Sequence, residues 1–244
     1  MCLLFLVVLF CAPLFLYGPI DNGDWHVHWF RLAGFAQSLS DGVWRPLWHA
    51  DANAGYGPPT FLFYPPLIYY LAAVPLSLGA SITQAWLGMY AVMMVVAVLG
   101  AYVLFRRWVG AAWAGGLALG FALSPPLALV LHQFHLLANT LALCLLPWFL
   151  LTLIYPFRRP VMRPLSVVTM TATIIISHPL TAIQAGLIAA AIMAYRISTR
   201  DWLAVIGLAV GAFLGAFASL WYWWPVLELR SLVHWEFFLN PAWS

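Results

Sequence analysis

Residues 83–105 read TQAWLGMYAVMMVVAVLGAYVLF, an apolar run without one charged side chain. A helix needs about 20 such residues to cross the ~30 Å hydrocarbon layer of a bilayer. The run therefore decides the class of fold: an all-α, polytopic integral membrane protein. Comparable windows lie near 2–19, 108–124, 138–157, 164–178, 181–196 and 202–222, which predicts about seven transmembrane helices. An eighth window, 62–80, opens on Pro65 and Pro66 and contains Pro75. Proline breaks helical hydrogen bonding, so this short stretch suits a segment that dips into the membrane rather than crosses it.

Composition agrees. Hydrophobic residues make up 65% of the chain and charged residues 7%, and mean hydropathy is +0.94. A water-soluble protein with a charged surface does not reach these values. The net charge of +3 comes from ten arginines with no lysine. They stand between apolar runs rather than in a phosphate-tracking patch, which excludes a nucleic-acid partner. Cys2, Cys11 and Cys144 lie inside apolar runs without ligand spacing and read as buried thiols. Residues 1–20 have no basic start and no small-x-small cleavage site, so we expect a retained first span rather than a signal peptide.

The chain reads as one membrane domain over 1–244. Residues 1–20 form the first span, 21–82 an external loop holding an amphipathic interfacial helix and a partly embedded segment, and 83–222 a helical bundle. Residues 223–244 begin a further external segment. The sequence stops at Ser244 in an aromatic-rich stretch, and we expect a piece of a longer protein. Arg106, Arg107, Arg158, Arg159, Arg163, Arg196 and Arg200 fall on one side if every window after residue 83 crosses once. The positive-inside rule makes that side cytoplasmic. Arginine counting alone leaves two topologies, differing in whether 62–80 crosses. We favour the one in which it does not, because the 21–82 loop then shares the outer face with His132, His135, His178, Glu228, His234 and Glu236. Gly207, Gly211 and Gly215, and likewise Gly116 and Gly120, recur every fourth residue as helix-packing stripes. Trp108, Trp148 and Trp202 read as interfacial rings near helix ends.

The polar content concentrates in Asp21–Pro66, which holds four of the seven acidic residues and three of the seven histidines. Trp25, Trp29, Leu32, Ala36 and Leu39 recur at helical spacing, with Asp24, His28, Arg31 and Ser38 on another face. This predicts a helix lying on the membrane surface, capped by Asp21 or Asn22 and ending at Asp41 and Gly42. Asp24 and His28, one turn apart, would face water together. They are the candidate catalytic pair, since a carboxylate can take a proton and an imidazole can give one. The alternative is an N-terminal acid beside a solvated histidine. A metal site of Asp21, Asp24, His26 and His28 is weaker, because His26 and His28 diverge on a helix. No metal-ligand set is assigned, and a divalent cation as cofactor stays an open alternative.

Between Gly42 and Pro66, glycines and prolines forbid regular structure, while Trp44, Trp48, Tyr56, Phe61, Phe63 and Tyr64 suggest a compact loop. It reads either as a structural lid or as a cleft wall where Asp51 and Asn53 meet a polar substrate. Asp24, His28, Arg45-Pro46, GYGPPTFLFYPP at Gly55–Pro66, LPW at Leu146–Trp148, SHPLTA at Ser177–Ala182 and WWPVLE at Trp223–Glu228 together carry a resemblance over nearly the whole chain. The sequence resembles the bacterial family labelled 6-pyruvoyl-tetrahydropterin synthase-related membrane domain, grouped with the GT-C membrane glycosyltransferases. It departs from that pattern at Phe134 and Asn139, where many members carry an arginine and a glutamate. His132, Gln133 and His135 are the nearest substitutes.

The resemblance implies a GT-C-like fold in the bacterial inner membrane and transfer of a sugar from a polyprenyl-phosphate carrier to an extracytoplasmic acceptor. Asp24 would take the acceptor proton, while His28, His178 or an arginine offsets charge on the departing phosphate. Asp21, Arg31, Arg45, Asp51, Asn53, Tyr56, His135, His178 and Glu228 are the candidate substrate contacts, and membrane lipid is the expected partner. For Arg31 the simpler role is neutralising Asp24, for His178 a helix cap, and for Glu228 a solvated acid. Two other classes compete: a non-catalytic membrane assembly factor and a transporter of a lipid-linked substrate. The second is disfavoured by spans almost empty of ionisable residues.

Overall fold

The computed structural model describes residues 2–19, 23–154 and 162–232, and all regular structure among them is helical. The helices are α1 (Cys2–Tyr17), α2 (Trp25–Ser40), the single turn α3 (Thr60–Phe63), α4 (Leu67–Ser77), α5 (Ile82–Phe105) and α6 (Ala111–Ala122). They continue with α7 (Pro125–His132), α8 (Leu137–Ile154), α9 (Met162–Ser177), α10 (Pro179–Ser198), α11 (Trp202–Ala218) and α12 (Leu220–Glu228). Asp21, His234 and Glu236 lie outside the described residues. Helices α5, α8 and α10 are long and apolar enough to cross a membrane. Counting the bent pairs α6–α7 and α11–α12 as one span each raises the number to five. Helices α4 and α9 are apolar but shorter, as is the Val7–Tyr17 stretch of α1.

Helix α5 is the axis of the bundle. It begins with a capping box, in which Gln84 N–H donates to Ser81 Oγ at 3.2 Å and Ser81 N–H to Gln84 Oε1 at 2.8 Å. Its 24 residues rise about 36 Å at 1.5 Å each, more than the hydrocarbon thickness. Helix α8 runs parallel to it. Trp148 Nε1 donates to Val96 O at 2.9 Å, and a Cβ at Gly100 would stand 2.5 Å from that indole nitrogen. Trp148 is thus a mid-helix packing residue rather than an interfacial ring. On the other flank of α5, Ala114, Ala118 and Ala122 of α6 are buried, whereas Cβ atoms at Gly116 and Gly120 would meet open space. The alanine face makes that contact, not the glycine stripe.

A second apolar cluster joins the far half of α8 to α9, α10 and α11. Here the glycine spacing does its expected job at two of three positions. A Cβ at Gly211 would come within 2.7 Å of Val167 and one at Gly215 within 2.6 Å of Thr171, while one at Gly207 would meet nothing among the described residues. The 66° bend between α11 and α12 frees backbone carbonyls, and nearby side chains take them. Ser219 Oγ donates to Ala216 O at 2.9 Å and Trp223 Nε1 to the same oxygen at 2.8 Å. Buried backbone acceptors at membrane depth require such partners.

The two ends of the bundle differ. At one end Arg196 pairs with Asp201 at 3.1 Å and donates to Ile154 O at 2.9 Å, and Arg106 caps its own helix through Val109 O. At the other end sit α2, the loop to Pro66 and α4, joined to the start of α5 by the Trp25–Trp86 ring contact at 4.2 Å. Helix α4 has 11 residues and spans about 16 Å, so it does not reach the opposite end. Tyr70 Oη donates to Trp44 O at 2.8 Å and fastens α4 to the loop.

Candidate functional site

The site is built where two loops meet. Gly23 has φ +59°, and a Cβ there would approach Phe134 O to 2.5 Å. Only glycine combines that backbone with that approach. The result is the hydrogen bond Asp24 N–H to Phe134 O at 3.0 Å, which pins the start of α2 onto the turn before α8. His135 in that turn has φ +53° and is buried among Trp25, Trp86 and Tyr90, with ring centroids 6.3–6.4 Å away.

Helix α2 begins at Trp25 with Asp24 in the N-cap position, not Asp21 or Asn22 as expected. The Asp24 side chain makes no capping bond. It turns instead along the helix, and its Oδ2 stands 4.0 Å from His28 Nε2. The C-terminus matches expectation at Asp41 and Gly42, with Gln37 Nε2 donating to Asp41 Oδ1 at 2.9 Å.

The orientation of His28 overturns the sequence expectation. Asp24 is 46% exposed but His28 is 0% exposed, so the two do not face water together. The buried stripe of α2 is His28, Leu32 and Phe35, spaced four and three apart. An imidazole tolerates that position because both nitrogens have partners: Nδ1 lies 2.8 Å from Tyr69 Oη and Nε2 3.2 Å from Tyr64 Oη. Burial, then the Arg31 charge and His135, push the His28 pKa from 6.5 down to about 3. His28 is therefore neutral at physiological pH and cannot offset phosphate charge.

Arg31, one turn on, lies over the Tyr64 ring at 4.5 Å, a cation–π contact. Burial pushes the Tyr64 phenol above its ordinary value, so it stays protonated. Asp24, His28, Arg31 and His135 thus form one cluster with Tyr64, Tyr69 and Trp86. The sequence reading did not single out Tyr69 as a site residue. The available signal was its hydroxyl in an otherwise apolar run, since a buried tyrosine needs a polar partner.

The other candidates lie elsewhere. Asp51, Asn53 and Tyr56 are exposed at the loop tip, where Asn53 and Ala54 take left-handed φ values of 52° and 55°. The tip is anchored through buried His49, which sits against Phe30 at 4.6 Å and fills the space that a side chain at Gly34 would need. This places the tip beside the middle of α2 rather than over Asp24. Arg45 is exposed, stacks on Trp221 at 5.5 Å and donates to the Trp221 carbonyl. His178 does cap a helix: it is the N-cap of α10, directly after α9 ends at Ser177. Its Nδ1 accepts from Thr181 N–H at 3.2 Å and lies 2.9 Å from Thr181 Oγ1. Glu228 ends α12, exposed. Among the described residues no three His, Cys, Asp or Glu side chains converge as a metal site requires.

No protein-family model, curated protein or solved structure matches this chain. The resemblance to the GT-C glycosyltransferases accordingly rests on the sequence motifs alone.

Proposed function

We propose that the chain is a membrane glycosyltransferase of GT-C type, moving a sugar from a polyprenyl-phosphate donor to an extracytoplasmic acceptor. The observation that carries this reading is the asymmetry of the cluster. A half-exposed carboxylate, Asp24, stands 4.0 Å from a fully buried, neutral imidazole, with the Arg31 guanidinium held one turn away. Asp24 removes the proton of the acceptor hydroxyl as its oxygen bonds to the anomeric carbon. The bond from that carbon to the carrier phosphate breaks, and the electron pair leaves on the phosphate, where Arg31 offsets the charge. His28 positions its neighbours and makes no ionic contact. An apolar groove of about 770 Å³, lined by Ala36, Trp44, Tyr70, Val74 and Leu76 among others, runs between α2 and α4 and offers shelter for a lipid tail.

In this reading the protein is a multi-pass inner-membrane protein with seven crossings: α1, α5, α6–α7, α8, α9, α10 and α11–α12. Helix α4 stays on the outer side with the 21–82 loop. The short reach of α4 supports this, as does the position of Arg106, Arg196 and Arg200 at the bundle end opposite α2. Arg31 and Arg45, the two arginines of the 21–82 loop, each lie over an aromatic ring, Arg45 while still exposed.

A second reading, a non-catalytic assembly factor, draws on the complete burial of His28, which suits a packing pin as well as a positioning group. The test is Asp24→Asn in membranes supplied with a polyprenyl-phosphate-linked hexose. Loss of labelled product at unchanged protein level supports transfer. Full retention of product rules out Asp24 as the base and favours the scaffold.

A further inference from the structure

The two tyrosines on His28 are not equivalent, and elementary hydrogen-bond accounting orders them. A neutral imidazole has one N–H donor and one bare nitrogen, and which is which depends on its partners. Tyr69 is 0% exposed. Among the described residues the acceptor within hydrogen-bond reach of its hydroxyl is His28 Nδ1, at 2.8 Å. Arg31, its cationic neighbour, carries donors only and cannot take a proton. If Nδ1 held the hydrogen, the Tyr69 O–H would be buried without an acceptor, a costly state. The other side of the ring agrees. Asp24 Oδ2 lies 4.0 Å from Nε2, and a carboxylate favours a hydrogen on the nitrogen that faces it.

Tyr69 therefore donates to Nδ1, and Nε2–H donates to Tyr64 Oη at 3.2 Å. With its oxygen occupied by that donor, Tyr64 must direct its own proton away from the ring. Tyr64 is only partly buried, and Asp24 stands on the same side of the imidazole. We propose that Tyr69, His28 and Tyr64 form a one-way hydrogen-bond chain that presents the Tyr64 hydroxyl proton beside Asp24. Tyr64 is then a direct donor to a substrate oxygen and Tyr69 a positioning residue that never touches substrate. This rests on the sugar-transfer reading for its substrate, a hydroxyl-bearing acceptor whose oxygen would sit between one acceptor, Asp24, and one donor, Tyr64. The direction of the chain does not depend on that reading.

The experiment is ¹⁵N NMR of histidine-labelled protein in nanodiscs, using His28→Gln to assign the signals, together with hydroxyl-proton exchange of labelled tyrosine. We expect a protonated Nε2 and a bare Nδ1, with the Tyr64 proton exchanging with water and the Tyr69 proton protected. Tyr69→Phe should shift the ring toward the Nδ1–H tautomer. In the hexose-transfer assay, Tyr64→Phe should lower kcat about tenfold. Tyr69→Phe should do the same, and the double variant should lose no more than either single one, as residues acting in series do. A His28 protonated at Nδ1, a protected Tyr64 proton, or additive losses would overturn the chain. A wild-type protein that transfers no sugar would sink the glycosyltransferase reading, while the tautomer and the exchange rates would still decide the proposal.

Discussion

His28 Nδ1 and the Tyr69 hydroxyl meet at 2.8 Å inside a fully buried contact between α2 and α4. That bond lets a histidine occupy the apolar stripe of an interfacial helix, and it makes stability depend on pH. The folded pKa of about 3 lies below the ordinary 6.5, so above pH 6.5 neither state binds the proton. As pH falls below 6.5 the unfolded chain protonates and the folded one resists. Stability is then lost at about 1.4 kcal/mol per pH unit, or roughly 2 kcal/mol by pH 5. Thermal unfolding in detergent across pH 5–8 should show Tm falling toward acid, and His28→Gln should flatten much of that slope.

Topology has a direct check. Asp51 is exposed at the loop tip, and Asp51→Cys should react with a membrane-impermeant maleimide in intact cells. The natural Cys11 and Cys144 are buried and should stay silent. Labelling only after permeabilisation would put the loop in the cytoplasm and remove the external-transfer mechanism.

The glycine stripe of α11 separates into tolerant and intolerant positions. Gly215→Ala drives a methyl into Thr171 and should cost about 1–3 kcal/mol, seen as a lower Tm. Gly207→Ala meets nothing within 4 Å among the described residues and should be neutral, or slightly stabilising by helix propensity. Equal effects at the two sites would contradict the parallel packing of α9 and α11.

Arg45 joins the first loop to α12. Arg45→Ala should loosen the loop and speed protease cleavage between residues 45 and 60 without changing the far end of the bundle. Arg45→Lys should restore part of the protection, because an ammonium can still donate to the Trp221 carbonyl but lacks the planar face that stacks on the ring. Unchanged cleavage would mean that the loop is held by His49 and Tyr70 alone.

Much of the helical plan was legible, because uninterrupted apolar runs have no other economical structure in lipid. The α5 and α8 boundaries fall within a few residues of the windows read from sequence, and Asp41 and Gly42 end α2 as their residue types suggest. The break after Leu123–Ser124 was legible, since Pro125 and Pro126 follow it and the 108–124 window ends there. The break at Ser219 was not, because it carries no signal stronger than a serine, and whether a span bends there depends on what accepts the freed hydrogen bonds. The site was half legible. Periodicity identified Asp24, His28 and Arg31 as neighbours on one helix, but the tryptophans drew the buried face to the wrong side. Imidazole counts as polar until its partners are known, and those partners, Tyr64 and Tyr69, lie 36 and 41 residues away.

Ser219 and Trp223 satisfy the carbonyls at the bend. The main-chain oxygen of Trp221 is left without a helical partner because residue 225, one turn on, is proline, and a guanidinium 176 residues earlier in the chain donates to it. A backbone acceptor is indifferent to the side chain above it. Replacing Trp221 by leucine would therefore erase the ring beneath Arg45 yet keep the tether, whereas Pro225→Ala would give that oxygen an N–H partner in its own helix and weaken the tether while keeping the ring. The opening and closing thirds of the sequence are thus stitched together by the shape of the main chain rather than by any one amino acid at position 221.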